Sequence, residues 1–195
     1  MYNITQRGLF PTDVYHLDIY DEKENKKYKD FLIDLASKDE GKKRSNRGGY
    51  QSDTLLWQEK IFEPLLEKFG GVVNFLLEKL TDADRNKPEA VIRAMWANVN
   101  PKGGYNFTHV HPGSWMSGVY YVDVPNNDSP LSFEDPRPAR MMDFQRSAII
   151  KDEYYMHQPE MGQLVLFPSW LPHFVNPNTS DQLRISMSFN VELLV

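Results

Sequence analysis

His109 and His111 lie two residues apart in the stretch Asn106 to Val122, just ahead of the aromatic and β-branched run Val119, Tyr120, Tyr121, Val122. Side chains at i and i+2 of an extended segment share a face, so the spacing predicts two imidazoles aimed at one point from a strand. Such a pair can grip a metal ion, and imidazole suits iron, zinc, copper and nickel alike. A second stretch, Gln163 to Val191, supplies His173, which follows a turn marked by Pro168 and Pro172 and opens a strand-like run through Val175. Past the turn-rich Asn176 to Asp181, Arg184, Ser186, Ser188 and Asn190 alternate with Ile185, Met187 and Phe189, a period of two. One face of that strand is polar, and a polar face within a buried sheet needs a partner such as a bound anion. Each residue also has a plain reading: satisfied sheet histidines at 109 and 111, and a turn hydrogen bond at 173.

The ordered set His109-Val110-His111, His173 and Arg184-Ile185-Ser186 resembles the iron(II)- and 2-oxoglutarate-dependent oxygenases. Their pattern is His-x-Asp/Glu, a distal His, and an Arg or Lys shortly beyond it. The phrases HPGSWMSGVYYV and RISMSFN look like a small, prolyl-hydroxylase-like branch of that superfamily. The likeness covers residues 90 to 195 well and the first half loosely. It implies an iron(II) site on His109, His111 and His173, with 2-oxoglutarate chelating the metal and O2 taking the remaining position. Arg184 would pair with the far carboxylate of the cosubstrate, since a planar guanidinium can do so bidentately where lysine offers a point charge. Ser186, on the same strand face, would donate to that carboxylate. Tyr121 stands where similar enzymes place a phenol, and Asn100 lies near the position of another cosubstrate contact. The chain departs from the pattern at His111, where the facial triad of non-haem iron oxygenases usually has a carboxylate. Three readings stay open: a three-histidine site, a carboxylate donated from Glu134, Asp135 or Asp143 with His111 outside the ligand set, or a different metal.

The elements around these residues follow from periodicity. From Ala90 onward the chain reads as many short strands joined by Pro, Asn, Asp and Gly turns, a sandwich or barrel signature. With the resemblance, the expected fold is mainly β with N-terminal helices (α+β), a double-stranded β-helix or jelly roll of the cupin-like kind. Residues 1–195 are expected to form a single domain, with 1–89 mostly helical support and 90–195 the jelly-roll core that carries the metal site. Ile4 to Tyr20, broken by Pro11, reads as two short extended pieces. Glu22 to Ser37 carries an apolar stripe of Tyr28, Phe31, Leu32 and Leu35, predicting an amphipathic helix. Leu55 to Phe69 and Val72 to Leu80 read as two helices separated by Gly70 and Gly71. The segment from Lys38 to Tyr50, with Lys42, Lys43, Arg44 and Arg47 among glycines, reads as a solvated loop or as a lid that meets an acidic substrate. His16 and His157 are expected to be structural, with His157 the reserve ligand.

Composition bounds the function. With 195 residues the chain can bury roughly 70 % of its unfolded surface. It has no cysteine, which excludes thiolate metal sites and disulfides, and its formal charge of −5 argues against non-specific nucleic-acid binding. No apolar run approaches a membrane span and no signal-peptide core is seen at the N-terminus, so a cytoplasmic chain without membrane or nucleic-acid partners is expected.

The resemblance implies hydroxylation of an unactivated C–H bond, with release of succinate and CO2. Trp115, Met116, Trp170 and Asn190 are candidates to line the substrate mouth, and the substrate would be a peptide, with proline leading, or a small molecule. Two other classes compete. A cupin-like three-histidine enzyme that does not use 2-oxoglutarate accounts for His111 but leaves Arg184 and Ser186 without a role. A non-catalytic jelly-roll binding module would hold the metal structurally or not at all.

Overall fold

The protein is described here from a computed structural model covering residue 5 and residues 7–82, 87–125, 129–138, 142 and 154–194. Ile4 and Asp143 lie outside the described residues. Alternating polar and apolar residues build two antiparallel sheets that face one another. The first joins β1 (Tyr15–Asp18), β9 (Gln163–Pro168), β6 (Met116–Asp123), β11 (Arg184–Leu194), β4 (Glu89–Asn100) and β3 (Tyr50–Gln51), in that order. The second joins β2 (Asn46–Arg47), β5 (Tyr105–His109), β10 (His173–Val175), β7 (Leu131–Glu134) and β8 (Tyr154–His157). This is the expected double-stranded β-helix.

Two helices, α1 (Glu22–Lys38) and α2 (Glu63–Leu80), cover the outer face of the first sheet. Asp21 caps α1 by accepting from the Glu24 amide, and Glu22 and Glu24 sit at its positive end, the arrangement helix termini favour. On its buried side, the Asn25 amide donates to the Val122 carbonyl at 2.8 Å and accepts from the Tyr120 hydroxyl at 3.0 Å. These bonds fix α1 on β6 while satisfying a polar side chain inside an apolar layer. Phe69 of α2 stacks on Phe189 of β11 with centroids 4.3 Å apart, and Phe189 lies over Gly118, where a Cβ would come within 2.2 Å of the ring. Each such fully buried side chain contributes roughly 1.5–3 kcal/mol.

Two expectations are corrected. Gly70 and Gly71 do not divide two helices, because α2 runs through both, and Leu55 to Phe62 forms short 3-10 turns instead. Each interior glycine costs roughly 1 kcal/mol, which the buried stripe Leu65, Phe69, Val73 and Leu76 outweighs. The basic Lys38 to Tyr50 segment is also more than a loop: β2 pairs with β5 and β3 pairs with β4, so it straps the edges of both sheets together. The N-terminal part contributes strand as well as helix, since β1 pairs with β9 along the opposite edge.

Candidate metal and cosubstrate site

The two sheets enclose a cavity whose walls are set by strand alternation. Trp96 and Asn98 of β4, Ser117 and Val119 of β6, and Arg184, Ser186 and Ser188 of β11 line one side, while Asn106, His109 and His173 line the other. His173 is directly opposite His109 in the β10–β5 pairing, which brings two residues far apart in sequence onto neighbouring strands. His111 does not share a strand with His109, as the spacing suggested, because β5 ends at His109. The following loop brings it in: the His111 amide donates to the Ser169 carbonyl at 2.9 Å, and its ring packs 5.5 Å from that of Trp96.

The ligating atoms of His109, His111 and His173 all lie within 4.8 Å of one another. The outer ring nitrogens of two of them are occupied: Nδ1 of His109 is 2.8 Å from the Phe107 carbonyl, and Nδ1 of His173 is 2.9 Å from the Leu171 carbonyl. A carbonyl only accepts, so each Nδ1 carries the proton and each Nε2 presents its lone pair inward. Two imidazole nitrogens each about 2.1 Å from one ion and at right angles stand about 3.0 Å apart, close to the 3.3 Å between Nε2 of His111 and of His173. Burial pushes His111 down to about 4 and His173 to about 3, and it lowers His109 as well. All three are therefore neutral and able to ligate at neutral pH, and the donor set fits a metal ion that accepts imidazole.

Of the carboxylate alternatives, Asp143 lies outside the described residues, and neither Glu134 nor Asp135 joins this cluster. Glu134 accepts from the Thr108 hydroxyl at 2.8 Å, and Asp135 is gripped by Arg137. His157 is also apart, with Nε2 2.6 Å from Gln163 Oε1 and its ring 5.8 Å from that of His16.

Farther along the cavity lies the guanidinium of Arg184, only 1 % exposed. Its Nε donates to the Ser129 carbonyl and its Nη1 to the Ser186 hydroxyl, both at 3.2 Å, and it lies 5.4 Å from the Tyr121 ring centroid. No carboxylate among the described residues pairs with it. Burial lowers its pKa and raises that of Tyr121, whose hydroxyl is buried without a hydrogen-bond partner among the described residues. A buried cation without a counter-charge costs several kcal/mol, and an anion entering beside it would relieve that cost and receive the Tyr121 proton donor. Asn100, opposite Arg184 in the sheet, donates to Asn106 Oδ1 at 3.3 Å, and its own Oδ1 has no partner among the described residues. The four residues singled out for cosubstrate contact thus fall together around Arg184, with Arg184 and Ser186 lining the cavity.

The expected substrate mouth is only partly found. Met116 is buried and Trp115 half-buried in the layer beneath the helices, on the far side of the sheet. Asn190 accepts from Ser117 at 2.9 Å, and Trp170 is exposed beside a groove of about 770 Å³ shared with Phe133 and Tyr155. Sequence reasoning missed Ser45, Asn98, Asn106 and Ser129. Ser45 Oγ lies 3.5 Å from Nε2 of His109 and accepts from Asn106 at 3.0 Å. Ser129 holds Arg184 from a left-handed backbone, φ 66°, with its own hydroxyl unpaired among the described residues. Only the Asn98 and Asn100 alternation along β4 carried a signal in the sequence.

Residues 94–190, about half of the chain and including all three histidines and Arg184, match the family model described as "Putative 2OG-Fe(II) oxygenase". No curated protein matches the sequence. Among solved structures, the non-heme alpha ketoglutarate dependent epimerase SnoN of nogalamycin biosynthesis is similar with a TM-score of 0.70 at 13 % identity, over 93 % of this chain and 76 % of that one. HygX from Streptomyces hygroscopicus, with nickel and 2-oxoglutarate bound, is similar with a TM-score of 0.62 at 11 % identity, over 93 % of this chain and 83 % of that one. A Trichoplax adhaerens prolyl hydroxylase in complex with a hypoxia inducible factor peptide fragment gives 0.63 at 13 % identity, over 92 % and 83 %. These structures share the fold, the family model covers the three histidines and Arg184, and the chain is an oxygenase belonging to the iron(II)- and 2-oxoglutarate-dependent superfamily.

Proposed function

We propose that this oxygenase hydroxylates an unactivated C–H bond of its substrate, with a peptidyl proline the leading candidate, and converts 2-oxoglutarate to succinate and CO2. The observation that carries the reading is one cavity holding three converging neutral imidazoles and a buried arginine with no carboxylate partner among the described residues. His109, His111 and His173 would hold iron(II). The bound ion supplies the redox chemistry, in which cosubstrate decarboxylation and the C–H bond each provide two of the four electrons that O2 takes up. Three neutral ligands leave both positive charges of the ion to face a dianionic cosubstrate, so His111 is compatible with the role.

Arg184 binds the far carboxylate and fixes the cosubstrate's direction, while Ser186 and Tyr121 donate to the same group and Asn100 lies within its reach. Val119, Leu131 and Phe167 on the cavity wall exclude water from the reacting centre. We also take residues 1–195 as one oxygenase domain, because strands from the N-terminal part pair with both β9 and β4. The likeness to a peptide-bound prolyl hydroxylase favours a peptide, and the likeness to an epimerase favours a small molecule.

The reading is tested by incubating iron(II)-loaded protein with 2-oxoglutarate, O2 and a panel of proline-containing peptides. The expected result is a peptide heavier by one oxygen atom, formed in step with succinate. Succinate formation without any modified peptide would move the substrate to the small-molecule class. Failure to turn over 2-oxoglutarate at all would favour the cupin-like alternative.

A further inference from the structure

We propose that the basic strap between α1 and the 3-10 turns binds an anionic group, carboxylate or phosphate, carried by the substrate. This inference rests on the oxygenase reading of the histidine site and names the class of molecule brought to it. The strap is anchored at both ends: Asn46 and Arg47 pair with Asn106 and Tyr105 on one sheet, and Tyr50 and Gln51 pair with Val99 and Asn98 on the other. Gly41 and Gly48 make its sharp turns with left-handed backbones, φ 70° and 67°. The Asn46 side chain accepts from the Arg44 amide at 2.8 Å and donates to the Gly49 carbonyl at 3.0 Å, which sets the shape of the segment between.

That shape puts Ser45 at the metal cluster, 3.5 Å from Nε2 of His109. Ser45 and His109 are both half-buried, whereas His173 is enclosed, so the cluster meets solvent on the strap's side. Lys42, Lys43 and Arg44 immediately precede Ser45 and are exposed. Consecutive Cα atoms are about 3.8 Å apart, so the Arg44 backbone directly adjoins the residue that meets the cluster. None of these three cations makes an ion pair among the described residues. Arg47 is already committed, since its guanidinium donates to two strap carbonyls and lies over Phe107. Asp39, which accepts from the Tyr50 hydroxyl, and Glu40 offset two of the four positive charges of Lys42, Lys43, Arg44 and Arg47, so residues 39–50 stay net positive. A chain with net charge −5 thus presents three adjacent exposed cations, without ion pairs among the described residues, in the segment that runs into Ser45 at the cluster, where they attract anions and orient them.

The test uses full-length protein loaded with manganese(II) and saturated with 2-oxoglutarate, with inorganic phosphate as the probe. Paramagnetic broadening of the 31P signal falls steeply with distance, so it separates binding beside the metal from binding on a remote basic face. The wild type should broaden the phosphate signal, salt should weaken the effect, and the exposed triple variant Lys42→Gln, Lys43→Gln, Arg44→Gln should lose most of it. Displacement of the bound phosphate by an oligoglutamate peptide well below the effective concentration of acetate would assign the anion to an acidic peptide. Equal displacement by both would assign it to a small molecule. Absence of broadening in the wild type, or equal broadening in the variant through direct metal ligation, overturns the proposal. An anaerobic iron(II) and 2-oxoglutarate absorption band, measured on both proteins, reports the cosubstrate site separately. With that band intact, loss of the phosphate effect speaks only about the strap.

Discussion

The guanidinium of Arg184 lies 5.4 Å from the ring centroid of Tyr121, both are fully buried, and the Tyr121 hydroxyl has no hydrogen-bond partner among the described residues. With no carboxylate paired to it among the described residues, this cation and the proton donor beside it are what an entering anion would complete. Removing one partner of a buried charge pair costs on the order of 3 kcal/mol, about a hundredfold in affinity. Arg184→Ala should weaken 2-oxoglutarate binding by about that factor while metal affinity stays near wild type, as measured by calorimetric titration of each. Pyruvate, which lacks the far carboxylate, should be a poor cosubstrate for the wild type and lose little more in the variant. Wild-type 2-oxoglutarate affinity in the variant would remove Arg184 from the anion site.

His111→Asp should retain metal, because the commoner pattern of the superfamily has a carboxylate there and the loop holding it is fixed through the backbone amide to Ser169. His173→Ala should abolish turnover, since it removes the most buried member of the cluster. Metal content and succinate release measured together decide this, and turnover by His173→Ala would sink the ligand assignment.

Acidification should destabilise the metal-free protein in a defined window. Burial holds His111 at about 4 and His173 at about 3, below the ordinary 6.5. The unfolded chain therefore binds protons that the folded one refuses, and stability present above about pH 6.5 is lost as pH falls toward those values. Urea midpoints should drop between neutrality and about pH 5, before most carboxylates titrate. Metal loading should move the loss to lower pH, because bound metal competes with the protons. A flat midpoint across that interval would contradict the buried, neutral state of the cluster.

Gly71→Ala should stabilise the fold by about 0.5–1 kcal/mol, the helix-interior difference between the two residues. Position 71 is exposed in mid-helix, and an added Cβ would meet nothing within 4 Å. Thermal melts would read the gain, and destabilisation would mean that α2 is interrupted there.

The β half was legible because its strands alternate strictly: Arg184 to Asn190 announced both the polar cavity face and the apolar face under the helices. His173 was legible as the start of a strand, and Arg184, Ser186, Tyr121 and Asn100 do fall together. The continuity of α2 was hidden because two glycines weigh more in local propensity than in a helix held by Leu65, Phe69 and Val73. His111 had the right neighbours for a different reason from its spacing, since a loop hydrogen bond brings it to His109. Ser45 and Ser129 gave no signal at all. Their roles come from a strap pinned to two sheet edges and from a strained turn, both products of tertiary pairing.

The central claim is that 2-oxoglutarate chelates a metal held by His109, His111 and His173, and anaerobic titration tests it most directly. Adding 2-oxoglutarate to the iron(II)-loaded protein should produce a visible metal-to-ligand charge-transfer band that saturates at one equivalent per chain and is absent in His173→Ala. Tight iron(II) binding with no such band at saturating 2-oxoglutarate would contradict the account.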